Sequence, residues 1–168
     1  MYNFYNLNPN LHTSSSHNSV TVEVNTPLTN ETFYQLFKQY YNHASEENEN
    51  LLGAHLNEIN YIIGIIPNDN TQDSTQIHEL TIRSMDDLNL LICTTEEREV
   101  FLPVFTDTRE LKHWNTEPII TLSVPARWLW QFVLRQKNFS GVVFNPGSIG
   151  WDISLEHIAS LLEDLNQV

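Results

Sequence analysis

The chain is poor in cysteine and in glycine. Cys93 is the only cysteine among 168 residues, so the chain cannot form an internal disulfide, as is usual for proteins of a reducing compartment. It has five glycines, and neither G-x-x-x-x-G-K-[ST] nor G-x-G-x-x-G is present. These absences argue against a disulfide-stabilised secreted protein and against the common phosphate-cradling loops of nucleotide-binding proteins.

Positive charge is also scarce. Eight Lys and Arg residues stand against 21 Asp and Glu, which gives a formal net charge of −13. Phosphate groups are bound by clustered Lys and Arg, and the nearest approach to a cluster is Arg127, Arg135 and Lys137. The charge balance therefore predicts no nucleic-acid binding and no binding to anionic membranes. A basic partner would be attracted, but solubility alone also accounts for such an acidic surface.

Long hydrophobic runs are absent. The longest apolar runs are a handful of residues, far below the roughly 20 that span a bilayer. The first six residues have neither the basic region nor the apolar region of a signal peptide. We therefore expect a cytoplasmic protein without a membrane span.

What remains is typical of one folded domain. Hydrophobic residues make up 40% of the chain, which is ordinary for a globular protein. Residues 1–19 are rich in Asn and Ser and contain no Asp, Glu, Lys or Arg, which predicts a loose tail, anchored at most by Phe4 and Tyr5. We expect this tail to be followed by a single domain over residues 20–168.

Apolar spacing at three and four residues predicts several helices. The clearest runs from about Asn30 to His43, and Ala44–Asn50 is predicted to be a solvated acidic connector before a short helix at Leu51–Leu56. Asp107 and Glu110 have the spacing of a helix-capping box, and Pro125 and Ser154 precede two further apolar stripes. These patterns predict about four helices.

Short β-branched and aromatic runs bounded by turn residues predict strands. In the strand over 100–105, Pro103 cannot donate a hydrogen bond, which indicates a sheet edge or a bulge. The order of elements predicts an α+β fold, with a mixed, mainly antiparallel β-sheet of about five to six strands packed with the helices in a single layered domain. The predicted strands are 61–66, 79–84, 88–93, 100–105, 119–124 and 142–145, and the alternation of Val20, Val22 and Val24 with polar residues gives a weaker signal for a short edge strand at 20–24.

A set of short motifs resembles the N-terminal domain of the SseB family over about residues 60–166. They are Leu102–Asp107, Leu111 and Trp114, Gly141–Gly147, and then Ile153, Leu155, Glu156, Ile158, Leu161 and Leu162. The resemblance implies an α+β domain of bacterial cytoplasmic origin with no established enzymatic reaction, and related domains occur near secretion and toxin-immunity systems. The chain differs in its Asn-rich tail, its polar loop at 68–76 and the lack of a C-terminal domain.

Catalytic and metal-binding chemistry is poorly supported by the residues present. Cys93 lies in an apolar strand, and Ser148 lacks the G-x-S-x-G spacing of a nucleophile elbow. Asp107 and Asp152 each lie between a strand and a helix, but capping and turn chemistry explain them. The histidines have no metal-ligand spacing, and the loop at 68–73 lacks the Gly and Glu of a calcium loop. We predict no enzyme, no catalytic residue, no metal and no cofactor.

The candidate binding residues lie in two loops that each follow a strand. Phe105, Thr106 and Asp107 form one loop, and Asn145 to Trp151 form the other, so both are expected at one end of the sheet. Asn145 fits either a ligand contact or a local turn. Trp130 lies off the apolar face of its helix, which indicates an interaction surface with Trp151. We expect a protein-binding accessory domain; the alternative is a sensor of a small, amino-acid-like molecule at these loops. Homo-oligomerisation is left open.

Overall fold

The computed structural model describes residues 3–6, 20–66, 79–82, 89–116 and 119–167. These residues form five helices and nine strands, which confirms the α+β class with more elements than the sequence predicted. The helices are α1 (Glu31–Asn42), α2 (Glu46–Glu58), α3 (Thr108–Trp114), α4 (Ala126–Arg135) and α5 (Leu155–Gln167). The strands are β1 (Asn3–Asn6), β2 (Val20–Val24), β3 (Asn60–Ile65), β4 (Glu79–Ile82), β5 (Leu91–Thr94), β6 (Val100–Val104), β7 (Ile120–Pro125), β8 (Gly141–Phe144) and β9 (Trp151–Ser154).

The strands form two sheets where the sequence suggested one. The larger sheet has the order β1-β5-β6-β8-β9, and the smaller has the order β3-β7-β2-β4. Every pairing is antiparallel except that of β6 with β8, which is parallel. The sheets meet at β3, where Ile62 bridges to Phe105 and Ile65 bridges to Leu90. Because β6 and β8 run parallel, their C-terminal ends lie next to each other at one end of the sheet.

The central strands are buried on both faces, which explains their continuous apolar runs. In β8, Val142 and Phe144 enter the main core, whereas Val143 packs on the opposite face with Cys93 and Phe101. Helices α1, α2, α4 and α5 contribute buried or partly buried side chains to the main core. Helix α3 covers the other face, where Leu111 belongs to a second apolar cluster.

Pro103 lies inside the larger sheet, where β6 passes from one neighbour to another. Phe101 pairs with Cys93 of β5, and Phe105 exchanges two backbone hydrogen bonds with Ile62 at 2.8 and 2.9 Å. Backbone N–H groups alternate in direction along a strand, so the Pro103 nitrogen faces the same side as those of Phe101 and Phe105 and lies between these two pairs. The proline therefore lies at a gap in the ladder, although β6 is not an edge strand.

The acidic segment before Leu51 is helical, so the predicted solvated connector is wrong. Helix α2 begins at Glu46, and the Ser45 hydroxyl caps it by accepting a hydrogen bond from the Asn48 backbone at 3.2 Å. Carboxylates in the first turn match the positive end of the helix dipole. The buried side chains Leu52 and Leu56 then hold the helix on the core.

Trp130 is fully buried, so its predicted place on an interaction surface is wrong. Its indole nitrogen donates to the Asn57 side-chain oxygen at 2.9 Å, and its ring lies 5.2 Å from that of Tyr61. Helix α4 contacts β3 and β7 on one side and α2 and α5 on another. Because other elements pack on α4 from more than one direction, more of its surface is buried than the spacing of its aliphatic residues predicted.

Several predicted features lie wholly or partly outside the described residues. The polar loop at 68–76 and the turn at 86–87 fall there, whereas residues 3–6 of the predicted tail form β1, with Phe4 opposite Cys93 and Tyr5 opposite Ile92. Over the described ranges, the structure has no helix with the length and apolarity needed to cross a bilayer.

Candidate functional site

The two strand-end loops meet through the side chain of Asn145. Its carbonyl oxygen accepts a hydrogen bond from the Thr106 backbone at 3.0 Å, and its amide donates to the Thr106 hydroxyl at 2.9 Å. Both residues are fully buried. The prediction that these loops lie at one end of the sheet is confirmed.

The backbone groups of Asn145 also form hydrogen bonds within the protein. Its N–H donates to the Val104 carbonyl, and its own carbonyl accepts from three successive N–H groups, those of Ser148, Ile149 and Gly150, at 3.0 to 3.1 Å. Its φ of 44° lies in the left-handed region, which asparagine tolerates better than most residues. Asn145 therefore has the structural role of fixing the turn after β8, and it offers no free polar group to a ligand.

A tyrosine and a carboxylate close the outer side of this network. The Tyr34 hydroxyl donates to Glu110 at 2.9 Å, and the Ser148 hydroxyl donates to the other oxygen of the same carboxylate. Burial raises the pKa of Tyr34, and its bond to Glu110 raises it further. The arrangement connects α1, α3 and the turn after β8, so it stabilises the fold at the point where the sequence placed a binding loop.

Asp107 caps α3 and binds Arg109. Its buried carboxylate accepts a hydrogen bond from the Arg109 backbone at 2.7 Å and receives the guanidinium at 2.6 Å. Burial alone would raise the pKa of Asp107, but the bonds from Arg109 outweigh it and lower the pKa below its usual value. The capping role predicted for Asp107 is confirmed, and its carboxylate is directed at its own helix.

Cys93 has the environment of a structural thiol. It is fully buried, its sulfur lies 3.5 Å from the Phe101 carbonyl oxygen, and burial raises its pKa to about 12. At pH 8 only about one thiol in 10⁴ would then be ionised. We expect a thiol reagent such as DTNB to label the native protein at least about 1000-fold more slowly than the chain in guanidinium. Comparable rates in the two states would contradict this burial.

An open groove lies elsewhere, beside Trp151. It has a volume of about 460 Å³ and runs between the end of α1, helix α2, strand β9 and helix α5. Its floor is apolar and includes the buried residues Leu52, Leu56 and Ile153. We call it the Trp151 groove; it is lined by Tyr40, Glu49, Asn50, Leu52, Gly53, Ala54, Leu56, Trp151, Asp152, Ile153, His157, Ser160, Leu161 and Asp164.

Trp151 forms one wall of the groove and is half-buried. Its ring lies 5.3 Å from that of Phe144 and 5.2 Å from that of Phe37, and Tyr40 stands 6.2 Å away. The stacked rings hold the indole in place from the core side. Of the six residues that the sequence suggested for binding, Trp151 is the one that lines this groove.

The rest of the groove was missed because its residues come from two regions of the chain, 40–56 and 151–164, that are far apart in sequence. Glu49 belongs to the stretch that the sequence analysis assigned to a connector, and Asp152 was considered only as a partner for Asp107. Asp164 lies on the polar side of the α5 stripe, where a carboxylate is unremarkable. Only the rarity of tryptophan gave a signal for Trp151.

Comparison with known proteins places the whole arrangement in a family. The family model described as the SseB protein N-terminal domain matches residues 36–160, which include the Trp151 groove residues up to Ser160 and both strand-end loops. Neither the curated proteins nor the solved structures gave a significant match. The family match covers about three quarters of the chain, and its core includes the Phe-Thr and Asn-Pro-Gly motifs that Asn145 joins. The chain therefore belongs to the SseB family.

Proposed function

We propose that this chain is a non-enzymatic bacterial accessory domain of the SseB type that acts by binding another protein. The observation that carries the proposal is the Trp151 groove, an open cleft with buried apolar residues at its floor, an aromatic wall and a polar rim. Aromatic side chains held rigidly beside an apolar floor are typical of the anchoring centres of protein interfaces.

The surface next to the groove extends this recognition face. Asn50 lines the groove and also a shallow depression formed with Glu46, Glu47 and Leu51. Leu51 is 48% exposed, and Tyr41, at the end of α1, is 79% exposed. Large apolar side chains that face water on the helices bordering a groove support a partner-binding face more than a closed small-molecule site.

The strand-end loops supply little for catalysis. The Ser148 hydroxyl binds a glutamate that also holds Tyr34, and the Cys93 thiol is buried and protonated. Asn145 and Asp107, the two polar residues that a reaction or a ligand would need, are buried and bonded within the protein. These contacts favour a binding domain over a hydrolase.

The alternative function is a sensor of an amino-acid-like molecule at these same loops. Its support is the convergence of Tyr34, Thr106 and Asn145 within hydrogen-bonding distance of one another. A ligand of this site would have to displace internal hydrogen bonds, which would oppose its binding. A metabolite that binds the folded chain raises its melting temperature, so a clear shift with an amino acid at millimolar concentration would favour the sensor.

We expect the binding function to depend on Trp151. The test is affinity capture from the host on the full chain, followed by calorimetric titration with the purified candidate. Trp151→Ala should weaken the complex about 30-fold or more, as is usual for an anchoring tryptophan. Trp128→Ala is the matched control, because Trp128 is also half-buried but stacks on Phe132 of its own helix, outside the groove. Failure of every purified candidate to bind, or equal losses in the two variants, would overturn the proposal.

A further inference from the structure

We infer that the Trp151 groove takes a basic segment of the partner, with an apolar side chain on the groove floor and Lys or Arg side chains at its rim. This inference rests on the proposed binding function and adds the chemistry of the partner. The inference is supported by the negative charge of the groove, which no sequence motif predicts. The rim carries three carboxylates from three elements, Glu49 of α2, Asp152 of β9 and Asp164 of α5.

The rim carboxylates are not neutralised by their surroundings. No Lys or Arg lines the groove, and His157 is its only histidine. Within the part of the chain that the structure describes, none of the three carboxylates accepts a hydrogen bond or belongs to an ion pair; the ion pairs there involve Arg109. A ligand that brought positive charge would meet unpaired negative charge at each side of the floor.

The three carboxylates have different local surroundings. Glu49 lies in the acidic first turn of α2, where the helix dipole favours it. Asp164 lies in the last turn of α5, where Arg127 of α4 donates to the neighbouring Leu165 carbonyl at 2.6 Å and so compensates the negative end of the helix dipole. Asp152 lies on an exposed position of β9, the last strand of its sheet in the described residues. Asp152 and Asp164 flank the same apolar floor.

The aromatic wall also suits a cation. Tyr40 and Trp151 line the groove together with the carboxylates, and a Lys or Arg side chain is attracted to the face of such rings. Arg also stacks on aromatic rings while binding a carboxylate with its fork of N–H groups. The combination of carboxylates and rings therefore selects a cationic side chain over a neutral polar one.

The groove is held in shape before any partner binds. The Asn57 side chain donates to the Leu161 carbonyl at 2.8 Å, which links α2 to α5, while its oxygen accepts from the Trp130 indole. A preformed cleft loses little conformational freedom on binding, so a short segment suffices to occupy it.

Two other occupants fit the charge less well. Residues 1–19 carry no Lys or Arg, so this tail would leave the rim carboxylates unpaired. A second copy of the chain would bring a further net charge of −13, and the two copies would repel each other. A basic segment of a different protein meets both the floor and the rim.

The test is selection of phage-displayed random 12-residue peptides on the full chain, followed by fluorescence-polarisation titration of the enriched peptides. We expect enriched peptides to combine Lys or Arg with a large apolar residue and to bind more weakly as NaCl is raised. The double variant Asp152→Lys with Asp164→Lys should bind them about tenfold more weakly or worse, because two attractive contacts become repulsive.

The matched control is the double variant Glu97→Lys with Glu163→Lys. It makes the same change in net charge, and both positions are exposed and outside the groove, Glu97 at the β5–β6 turn and Glu163 beside Asp164 on α5. We expect it to bind within about twofold of the parent chain, with any loss reflecting only the changed net charge. Circular dichroism of both variants establishes that they fold.

The outcomes separate this inference from the proposed function. Enrichment of neutral or acidic peptides, or equal losses in the two double variants, overturns the basic-segment inference while leaving a partner-binding domain intact. Absence of both enriched peptides and a purified partner overturns both. Competition of the enriched peptides by a synthetic peptide of residues 1–19 would identify the tail as the occupant and also overturn the inference.

Discussion

Asn145→Ala is expected to lower the free energy of unfolding by about 2–4 kcal/mol. The change leaves the buried Thr106 N–H without its acceptor, which costs about 1–3 kcal/mol, and it forces alanine into the left-handed region at about 1 kcal/mol more. The loss would be measured by urea denaturation monitored by tryptophan fluorescence.

The control for this prediction is Asn25→Ala, which makes the same change at an exposed position. Asn25 also has a left-handed φ, of 52°, and its side-chain oxygen accepts from the Thr121 backbone at 3.1 Å. Because water can replace that bond, we expect a loss of only about 1 kcal/mol. Equal losses at the two positions would mean that the buried network around Asn145 contributes nothing beyond the turn.

Gly141→Ala is expected to cost about 3 kcal/mol or more, enough to reduce the yield of folded protein. An alanine Cβ at this position would lie 2.1 Å from the Ile153 carbonyl oxygen, and the obstructing atom is backbone. Relief requires β8 and β9 to move apart, and Trp151 is carried on β9. Thermal unfolding and soluble yield are the measurements.

Gly53→Ala provides the opposite case with the same substitution. Gly53 lies inside α2, and the nearest atom to a new Cβ is Leu161 Cδ2 at 3.7 Å, an ordinary contact. Removing a glycine from a helix interior should stabilise the chain by about 0.5–1 kcal/mol. A Gly141→Ala variant with parental stability would contradict the close approach of the two strands.

Sequence reasoning worked best where a strand is buried on both faces. The runs at Tyr61–Ile65 and Val142–Phe144 contain almost no polar residue, because each side of the strand packs on apolar side chains. Asp107 was also predicted, since a capping residue acts within its own turn of chain. Both features depend on neighbours close in sequence or on burial alone.

The errors arose where a distant element decides the outcome. Trp130 lies off the aliphatic stripe of α4, and side chains from distant elements cover it: Asn57 of α2 accepts from its indole nitrogen, and the rings of Tyr61 and Phe144 pack on it. The start of α2 was missed because its first turns are rich in Glu and Asn, although Ser45 caps them and Leu52 anchors them. The division into two sheets follows from pairings between strands far apart in the chain, such as β3 with β7, which leave no periodic signal.

The candidate site also could not be predicted where residues distant in sequence form it. The strand-end motifs correctly predicted that the two loops lie at one end of the sheet, because parallel strands end at one edge; the bond between Thr106 and Asn145 was not predicted. The Trp151 groove depends on the positions of Tyr40, Glu49, Asp152 and Asp164, which share no spacing. The excess of carboxylates in the composition is compatible with a basic partner or with solubility alone, and it gives no position for a binding site.

The strand β1 has a consequence for how the protein should be handled. It covers the outer edge of β5, whose Leu91, Ile92 and Cys93 form an apolar run. An uncovered apolar edge strand is a template for aggregation, and a short edge strand such as the four residues of β1 is one of the means by which proteins limit it. A purification tag at the opposite end of the chain keeps this covering strand undisturbed, and trimming the first six residues removes it.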